Sequence, residues 1–361
     1  MSKPVQKLKF ALVGCGRIAK KHIEAMRDLE QAELVAVSDI QAGRAQFWGE
    51  KLGIPYYDDY NKMLSMHNDI DVVNILTPSG LHAKHAIDIA KKYRKHIVCE
   101  KPAALRLNDA DEIIKACKEA GVHFFVMMQN RYNLAVQKLK QALDEGRFGK
   151  IILGTVRVRW ARSQEYYDAD EWRGTWDMDG GCLTNQASHH IDLLTWLLGE
   201  PVEVTAKTAT RLLDIEVEDT GAAIVKFANG ALGIVEATTA TRPKDLEGSV
   251  SILGEKGTVE IGGFAVNQIK TWLFEDQREE DKEVINLFNE APPNVYGFGH
   301  QRYLAEVIDC ILNGKKVPVD GIEGRKSLEL IHAIYESAET GETVRIPFEP
   351  KKCRLGGIDH E

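Results

Sequence analysis

Lys9-Phe10-Ala11-Leu12-Val13-Gly14-Cys15-Gly16-Arg17-Ile18-Ala19 is the stretch that decides the fold. A short apolar run of strand character meets G-x-G-x-x-A, and an amphipathic helical pattern then continues through Leu29. Each small residue has a task. Gly14 makes the tight turn, Gly16 lets the backbone approach a pyrophosphate, and Ala19 allows close helix–strand packing. The helix opens on unsatisfied N–H groups that favour an anion. Gly14, Gly16, Arg17 and Ile18 are therefore candidate cofactor contacts. A second strand, Glu33–Val37, ends in Ser38-Asp39, which places Asp39 about 20 residues past the motif, where an acid bonds a ribose hydroxyl. An acid there repels a 2′-phosphate, so NAD is expected over NADP.

The alternation continues outward. Val72–Leu76 reads as a buried strand ending in Thr77-Pro78-Ser79-Gly80-Leu81-His82, followed by a helix to Lys92. His96–Cys99 ends in Glu100-Lys101-Pro102, a helix spans Asn108–Ala120, and His123–Met128 is the next strand. Ligands bind at the carboxyl ends of such strands, which makes Thr77, Pro78, His82, Glu100 and Lys101 further candidates. The fold class is α/β: an N-terminal Rossmann domain, residues 1–128, with a parallel sheet and helices on both faces. After a helix over Leu134–Glu145 the rhythm changes to longer strands at Ile151–Trp160, Val202–Thr210, Asp219–Phe227, Ala231–Thr239, Ser249–Leu253 and Thr258–Ile261. Ala228-Asn229-Gly230 is a hairpin signal. Residues 129–361 are thus expected to form an α+β domain with a large, mostly antiparallel open sheet for substrate binding and oligomer contacts. The charged run Glu275–Glu283 reads as a solvated loop, and helices are expected over Gln301–Leu312 and Gly324–Ala338. Gly324-Arg325-Lys326-Ser327 looks like a phosphate loop but lacks the preceding glycine and strand, so it reads as a helix start.

Bulk properties set limits. A chain of 361 residues, 44% hydrophobic and 28% charged, can build two full cores. A net charge of -8 argues against nucleic acid or an anionic membrane surface as a partner. No apolar stretch has the length of a bilayer span, and the apolar run after the basic N-terminus is too short for a signal peptide. Six cysteines without paired spacing suggest reduced thiols in a cytoplasmic protein. Neither Cys182 with His189 and His190 nor His82 with His85 has a standard zinc spacing, so no metal is expected.

A second constellation is Gly180–Asp192, reading GGCLTNQASHHID. Helical spacing puts Asn185, His189 and Asp192 on one face, directly before an apolar run. A neutral imidazole at His189 can accept a proton at physiological pH, and a Lys101 ammonium can hydrogen-bond a developing alkoxide. His190 reads as a core histidine.

A Glu-Lys-Pro strand end followed by G-G-x-L-x-[DN]-x-x-x-H-x-x-D resembles the Gfo/Idh/MocA oxidoreductases, and the resemblance spans essentially the whole chain. It implies Lys101 and His189 as the catalytic pair. Many members carry aspartate where this chain has Asn185, which the resemblance makes a hydrogen-bonding positioner. Gln129, Trp172 and Arg173 join the implied cofactor contacts. The stretches Gln129–Asn133, Arg159-Trp160, Tyr166-Tyr167, Trp172–Trp176, Asn185–His190 and Tyr296–His300 are similar to the branch acting on UDP-N-acetylglucosaminuronate. That branch oxidises the sugar 3-hydroxyl with NAD, towards a diamino-uronic acid for surface polysaccharide such as O-antigen. The implied substrate contacts are Lys101, Arg131, Tyr132, Asn133, Arg159, Tyr166, Asn185, Ser188, His189, Tyr296 and His300. Arg131, Arg159 and Arg173 are the expected clamps for the anionic groups, and a homotetramer is implied. Two other readings are a dehydrogenase of another sugar or an inositol, and a dinucleotide-binding regulator without turnover. Lys101 with His189 argues against the regulator, and Asn185 with Tyr296–His300 favours the nucleotide sugar.

Overall fold

A computed structural model describes residues 6–290, 297–316 and 319–357. The chain divides into two compact units, Met1–Met128 with His300–Arg325, and Gln129–Gly299 with Lys326–Glu361. The single boundary expected after residue 128 is thereby corrected, because the segment 300–325 clusters with the first unit. The cause is visible at the edge strand of that unit's sheet. Asp320 forms a bridge with Phe125, and Gly321 and Gly324 lie so close to Phe124 and Val126 that a Cβ would sit 2.4 and 2.7 Å from them. The segment covers an edge that would otherwise expose unpaired backbone groups.

In chain order the first unit contains β1 (Leu8–Val13), α1 (Ala19–Arg27), β2 (Ala32–Ser38), α2 (Ala42–Leu52), β3 (Tyr56–Tyr57), α3 (Tyr60–Met66), β4 (Val72–Ile75), α4 (His82–Asp88), β5 (His96–Cys99), α5 (Leu107–Ala120) and β6 (Phe124–Val126). The six strands form one sheet in the order β3-β2-β1-β4-β5-β6, and every pairing is parallel. Helices on both faces explain why β1 and β4 are buried almost throughout and read as continuous apolar runs. The expected helix to Lys92 is α4 extended by a wider π-helical turn over Ile89–Tyr93, ending where Arg94 takes φ 52.

The remaining elements are α6 (Leu134–Asp144), β7 (Ile151–Arg159), α7 (Gln164–Asp168), α8 (Ser188–Leu198), β8 (Pro201–Ala209), β9 (Thr220–Phe227), β10 (Leu232–Thr238), β11 (Glu247–Gly254), β12 (Gly257–Gly262), β13 (Gln268–Phe274), α9 (Asp281–Phe288), α10 (Gly299–Asn313), α11 (Gly321–Thr340) and β14 (Val344–Arg345). Eight strands form the second sheet, ordered β13-β12-β11-β7-β10-β9-β8-β14. Only β7 with β10 is parallel. The β9–β10 hairpin turns at Asn229-Gly230, where Gly230 takes φ +86. Strand β9 alternates buried and exposed residues along its length, the mark of a sheet with one covered face. Helix α8 covers that face. Glycines make room for it: a Cβ at Gly154 would sit 2.7 Å from Leu198, and one at Gly233 would sit 3.2 Å from Leu194. The charged run expected as a loop partly folds, since Asp281 and Glu283 form the acidic first turn of α9. Buried Arg147 pairs there with Asp276 and Asp281, each at 2.6 Å. Among the described residues no helix is long and apolar enough to cross a membrane.

Candidate active site

The glycine turn of the first unit has the shape a pyrophosphate needs. Gly14 takes φ +102, and a Cβ there would sit 2.7 Å from the Leu76 backbone, whereas one at Gly16 would meet nothing within 4 Å. The first glycine is thus sterically required, and the second faces open space. Asp39 secures this turn: its Oδ2 accepts the Cys15 N–H at 2.7 Å and its Oδ1 the Gln41 N–H at 2.8 Å. Burial pushes the Cys15 thiol up to about 12, so it remains a neutral filler. Arg17 is exposed, and Ile18, Thr77, Pro78 and Lys101 are partly exposed.

His82, expected at the cofactor, is buried instead. Its Nδ1 lies 2.8 Å from the Pro102 carbonyl and its Nε2 2.9 Å from the Thr77 carbonyl. The ring lies between two strand-end loops, and burial lowers its pKa, so the neutral ring donates to only one of the two carbonyls. Glu100 is also buried, and sequence reasoning missed its partners. His22 Nε2 approaches Glu100 Oε1 at 2.9 Å, His300 Nε2 lies 3.5 Å from the same oxygen, and the Asn74 amide nitrogen is 2.9 Å from His22 Nδ1. Burial opposes the charge on Glu100, but the bonds from His22 and His300 outweigh it and hold the carboxylate well below the usual range. Burial lowers His22, so a neutral ring donates. These three ligand-type side chains could hold a cation by spacing alone. With the Asn74 amide donating to Nδ1, however, the His22 proton sits on Nε2 towards Glu100, which makes the group a hydrogen-bonded relay. His22 was legible as the polar member of the buried stripe Ala19, His22, Ile23, Met26 in α1.

In the second unit α8 begins at Ser188, so Asn185 is not on the same helix as His189 and Asp192, contrary to expectation. The preceding turn has helix-like bonds, Asn185 N to Gly181 O at 2.8 Å and Gln186 N to Cys182 O at 3.2 Å, then a wider Ala187 N to Cys182 O bond at 2.8 Å. That wider bond shifts the register before α8. Gln129, expected at the cofactor, instead meets His189: its Nε2 lies 2.9 Å from His189 Nε2. With the amide as donor, His189 Nε2 is the acceptor and the ring proton resides on Nδ1. Asn185 Nδ2 donates to Asp179 Oδ1.

Arg131 is corrected from a substrate clamp to an internal ion pair. It is 2% exposed, and its Nε and Nη2 each bond Asp192 at 2.7 Å in bidentate fashion. Arg159, the second expected clamp, also has acidic partners. It lies on the sheet face opposite the one α8 covers, with Glu236 at 2.6 Å and Glu247 at 3.3 Å. Arg173 pairs with Asp170 at 3.0 Å, donates to the Tyr166 hydroxyl at 2.8 Å, and lies between the Tyr166 and Trp172 rings. Asn133 uses its amide on the Ala265 and Val266 carbonyls, at 2.8 and 3.2 Å. Tyr132, Ser188 and His300 are buried. Tyr296 lies outside the described residues. His190 is core, as its position implied: burial lowers it to about 3.

Beneath the Gly180-Gly181 turn sits Glu218, another residue sequence reasoning missed. Its Oε1 accepts the Leu183 N–H and the Tyr335 O–H, both at 2.9 Å. A Cβ on Gly181 would lie 1.8 Å from its Oε2, so a larger residue there would have to displace this carboxylate. Burial raises Glu218 to about 7.

Comparison with known proteins agrees with this architecture. Residues 8–128 match the family model described as an oxidoreductase family NAD-binding Rossmann fold, and residues 140–346 match its C-terminal alpha/beta domain. The WlbA dehydrogenase from Bordetella pertussis, crystallised with NADH and UDP-GlcNAcA, is 45% identical with a TM-score of 0.91, covering 95% of this chain and 99% of that one. The Chromobacterium violaceum WlbA dehydrogenase, in complex with the same two molecules, is also 45% identical, with a TM-score of 0.89 over 95% and 97% of the chains. Myo-inositol 2-dehydrogenase from Thermotoga maritima is 27% identical over 94% of this chain and 98% of its own.

Proposed function

Because the chain belongs to the Gfo/Idh/MocA oxidoreductase family and carries its NAD-binding Rossmann domain, we propose that it is the NAD-dependent 3-dehydrogenase of a UDP-linked acetamido-glucuronate. The observation that carries this substrate is a gap in identity. The chain is 45% identical, over 95% of its length, to dehydrogenases crystallised with NADH and UDP-GlcNAcA, against 27% and 28% to inositol and apiose dehydrogenases. The product, a 3-keto nucleotide sugar, then serves the making of a diamino-uronic acid for surface polysaccharide.

The open backbone at Gly16 and the Asp39-secured turn suit a dinucleotide pyrophosphate. Gly14, Gly16, Arg17, Ile18, Thr77 and Pro78 would hold it, with Asp39 favouring NAD. Bound NAD supplies the hydride acceptor. The chain's own residues handle the proton: His189 Nε2, whose lone pair faces the Gln129 amide, takes it from the 3-hydroxyl as that hydroxyl replaces the amide. The Lys101 ammonium stabilises the alkoxide as it forms. Glu100, held ionised by His22 and His300, sits next in sequence to Lys101 and fixes its backbone N–H through a bond of 3.3 Å. Arg131 acts through Asp192, and Arg159 and Arg173 stay as the clamps of the expected three, each already held by an acidic neighbour. The same proposal places the enzyme in the reducing cytoplasm, where six free cysteines remain thiols, as a homotetramer joined through the outer face of the large sheet.

The test is an NADH-fluorescence assay over UDP-N-acetylglucosaminuronate, other UDP-sugars, free inositols and apiose, with mass spectrometry of the product. Turnover of the UDP-uronate with loss of two hydrogens supports the reading. Turnover of inositol or apiose without the UDP-uronate overturns it.

A further inference from the structure

A buried carboxylate stands behind Asn185. Asp179 is 1% exposed. Its Oδ2 accepts the Gly174 N–H at 2.8 Å, and its Oδ1 accepts from Asn185 Nδ2. Its backbone is fixed as well, since the Asp179 and Gly180 N–H groups both donate to the Thr175 carbonyl, at 3.2 and 2.9 Å. A carboxylate only accepts, so it can engage only the NH₂ edge of the asparagine amide. The carbonyl edge, Oδ1, is thereby turned away from Asp179. An asparagine without such a partner could present either edge.

We infer that Asp179 is a positioning residue, fixing the Asn185 amide so that its Oδ1 accepts a hydrogen bond from the substrate hydroxyl. This rests on the reading of Asn185 as part of the active site. Asn185 orients the hydroxyl, takes no proton, and leaves the proton to His189. The pair has a built-in order. An aspartate at 185 would set two carboxylates at hydrogen-bond distance, and they could persist only by sharing a proton. Exchanging the two residues keeps both of the bonds described above. An amide at position 179 accepts the Gly174 N–H through its oxygen, and its nitrogen donates to a carboxylate at position 185.

The experiment compares the full-length wild type with N185D, D179N and the exchange D179N/N185D. Readouts are kcat and KM on whichever sugar of the panel the wild type oxidises, KM for NAD, and thermal unfolding from pH about 5 to about 8. N185D is expected to lose roughly tenfold to a hundredfold in kcat with KM for NAD unchanged. Its shared proton has a pKa above that in the unfolded chain, so stability present at low pH is lost as pH rises. Its melting temperature should therefore fall against the wild type between those pH values. The exchange should remove that fall and exceed N185D in kcat by roughly tenfold, a rescue that generic damage would not produce. D179N alone should lower kcat through a mobile amide. An exchange no better than N185D, or an N185D enzyme with wild-type turnover and a wild-type pH profile of unfolding, overturns the inference. A wild type that oxidises no sugar defeats the functional reading, and the unfolding profile of N185D then decides on the pair alone.

Discussion

Glu218 is a single residue whose chemistry can be weighed. Its Oε1 holds the Leu183 N–H and the Tyr335 hydroxyl, yet burial raises its pKa from 4.5 to about 7. A folded pKa above the unfolded one means stability is full below pH 4.5 and is lost as pH rises through about 7, on the order of 3 kcal/mol at most. Glu218→Gln keeps an acceptor for both donors and removes the titration. Thermal unfolding should show the wild type's advantage over this variant shrinking or inverting from pH about 5 to about 8. A difference constant with pH would refute the assignment. At the residues proposed to carry the chemistry, Lys101→Ala and His189→Ala should each cost roughly a hundredfold to ten-thousandfold in kcat, while fluorescence titration shows NAD still bound. Near-wild-type turnover in both would remove them from the chemistry. His189 and Lys101 could be singled out in the sequence because their motifs are contiguous. Glu218 was not, since its partners lie 35 and 117 residues away. Asp179 escaped notice for another reason: its meaning depends on how one turn folds back on Gly174.

Among the elements, β1, its glycine turn and α1 were readable because sequence neighbours are also spatial neighbours there. The start of α8 was not, because the Gly181–Ala187 turn imitates helical spacing and then slips by one bond. Strand β13 was hidden as well, since its pattern is uneven where the register with β12 shifts beside Ile261. The glycine turn gives a paired prediction. Gly14→Ala places a methyl against the Leu76 backbone at φ +102, which should cost about 2 kcal/mol or more of stability and also NAD affinity. Gly16→Ala meets nothing within 4 Å, so its melting temperature without NAD should match the wild type. Its NAD affinity should nevertheless fall by roughly tenfold or more, because the methyl occupies the approach of the pyrophosphate. Gly16→Ala binding NAD as tightly as the wild type would show that the dinucleotide does not lie there.

For the molecule as a whole, the decisive feature is the outer face of the eight-stranded sheet. Strand alternation gives one face to α8 and leaves the other with Ile224 at 59%, Leu232 at 46% and Ile234 at 37% exposure. Ile224 and Ile234 are register partners across β9 and β10, and Leu232 faces Leu153 across β10 and β7. Apolar side chains thus gather on this face beside Lys226, the register partner of Leu232, and beside the charged Arg157, Arg159, Glu236 and Glu247. An exposed apolar cluster among charges suits a self-complementary interface, since a two-fold axis would bury the same residues twice. The proposed tetramer therefore depends on this face. Ile224→Lys with Ile234→Lys sets cations into the apolar centre while leaving the covered face of both strands untouched. Light scattering coupled to size-exclusion chromatography should give a smaller species than the wild type, with secondary structure unchanged by circular dichroism. If the double variant kept the wild-type mass, the subunits would be joined through some other surface. If the wild type were itself monomeric at micromolar concentration, the exposed isoleucines would need a different covering, and the tetramer would have to be abandoned.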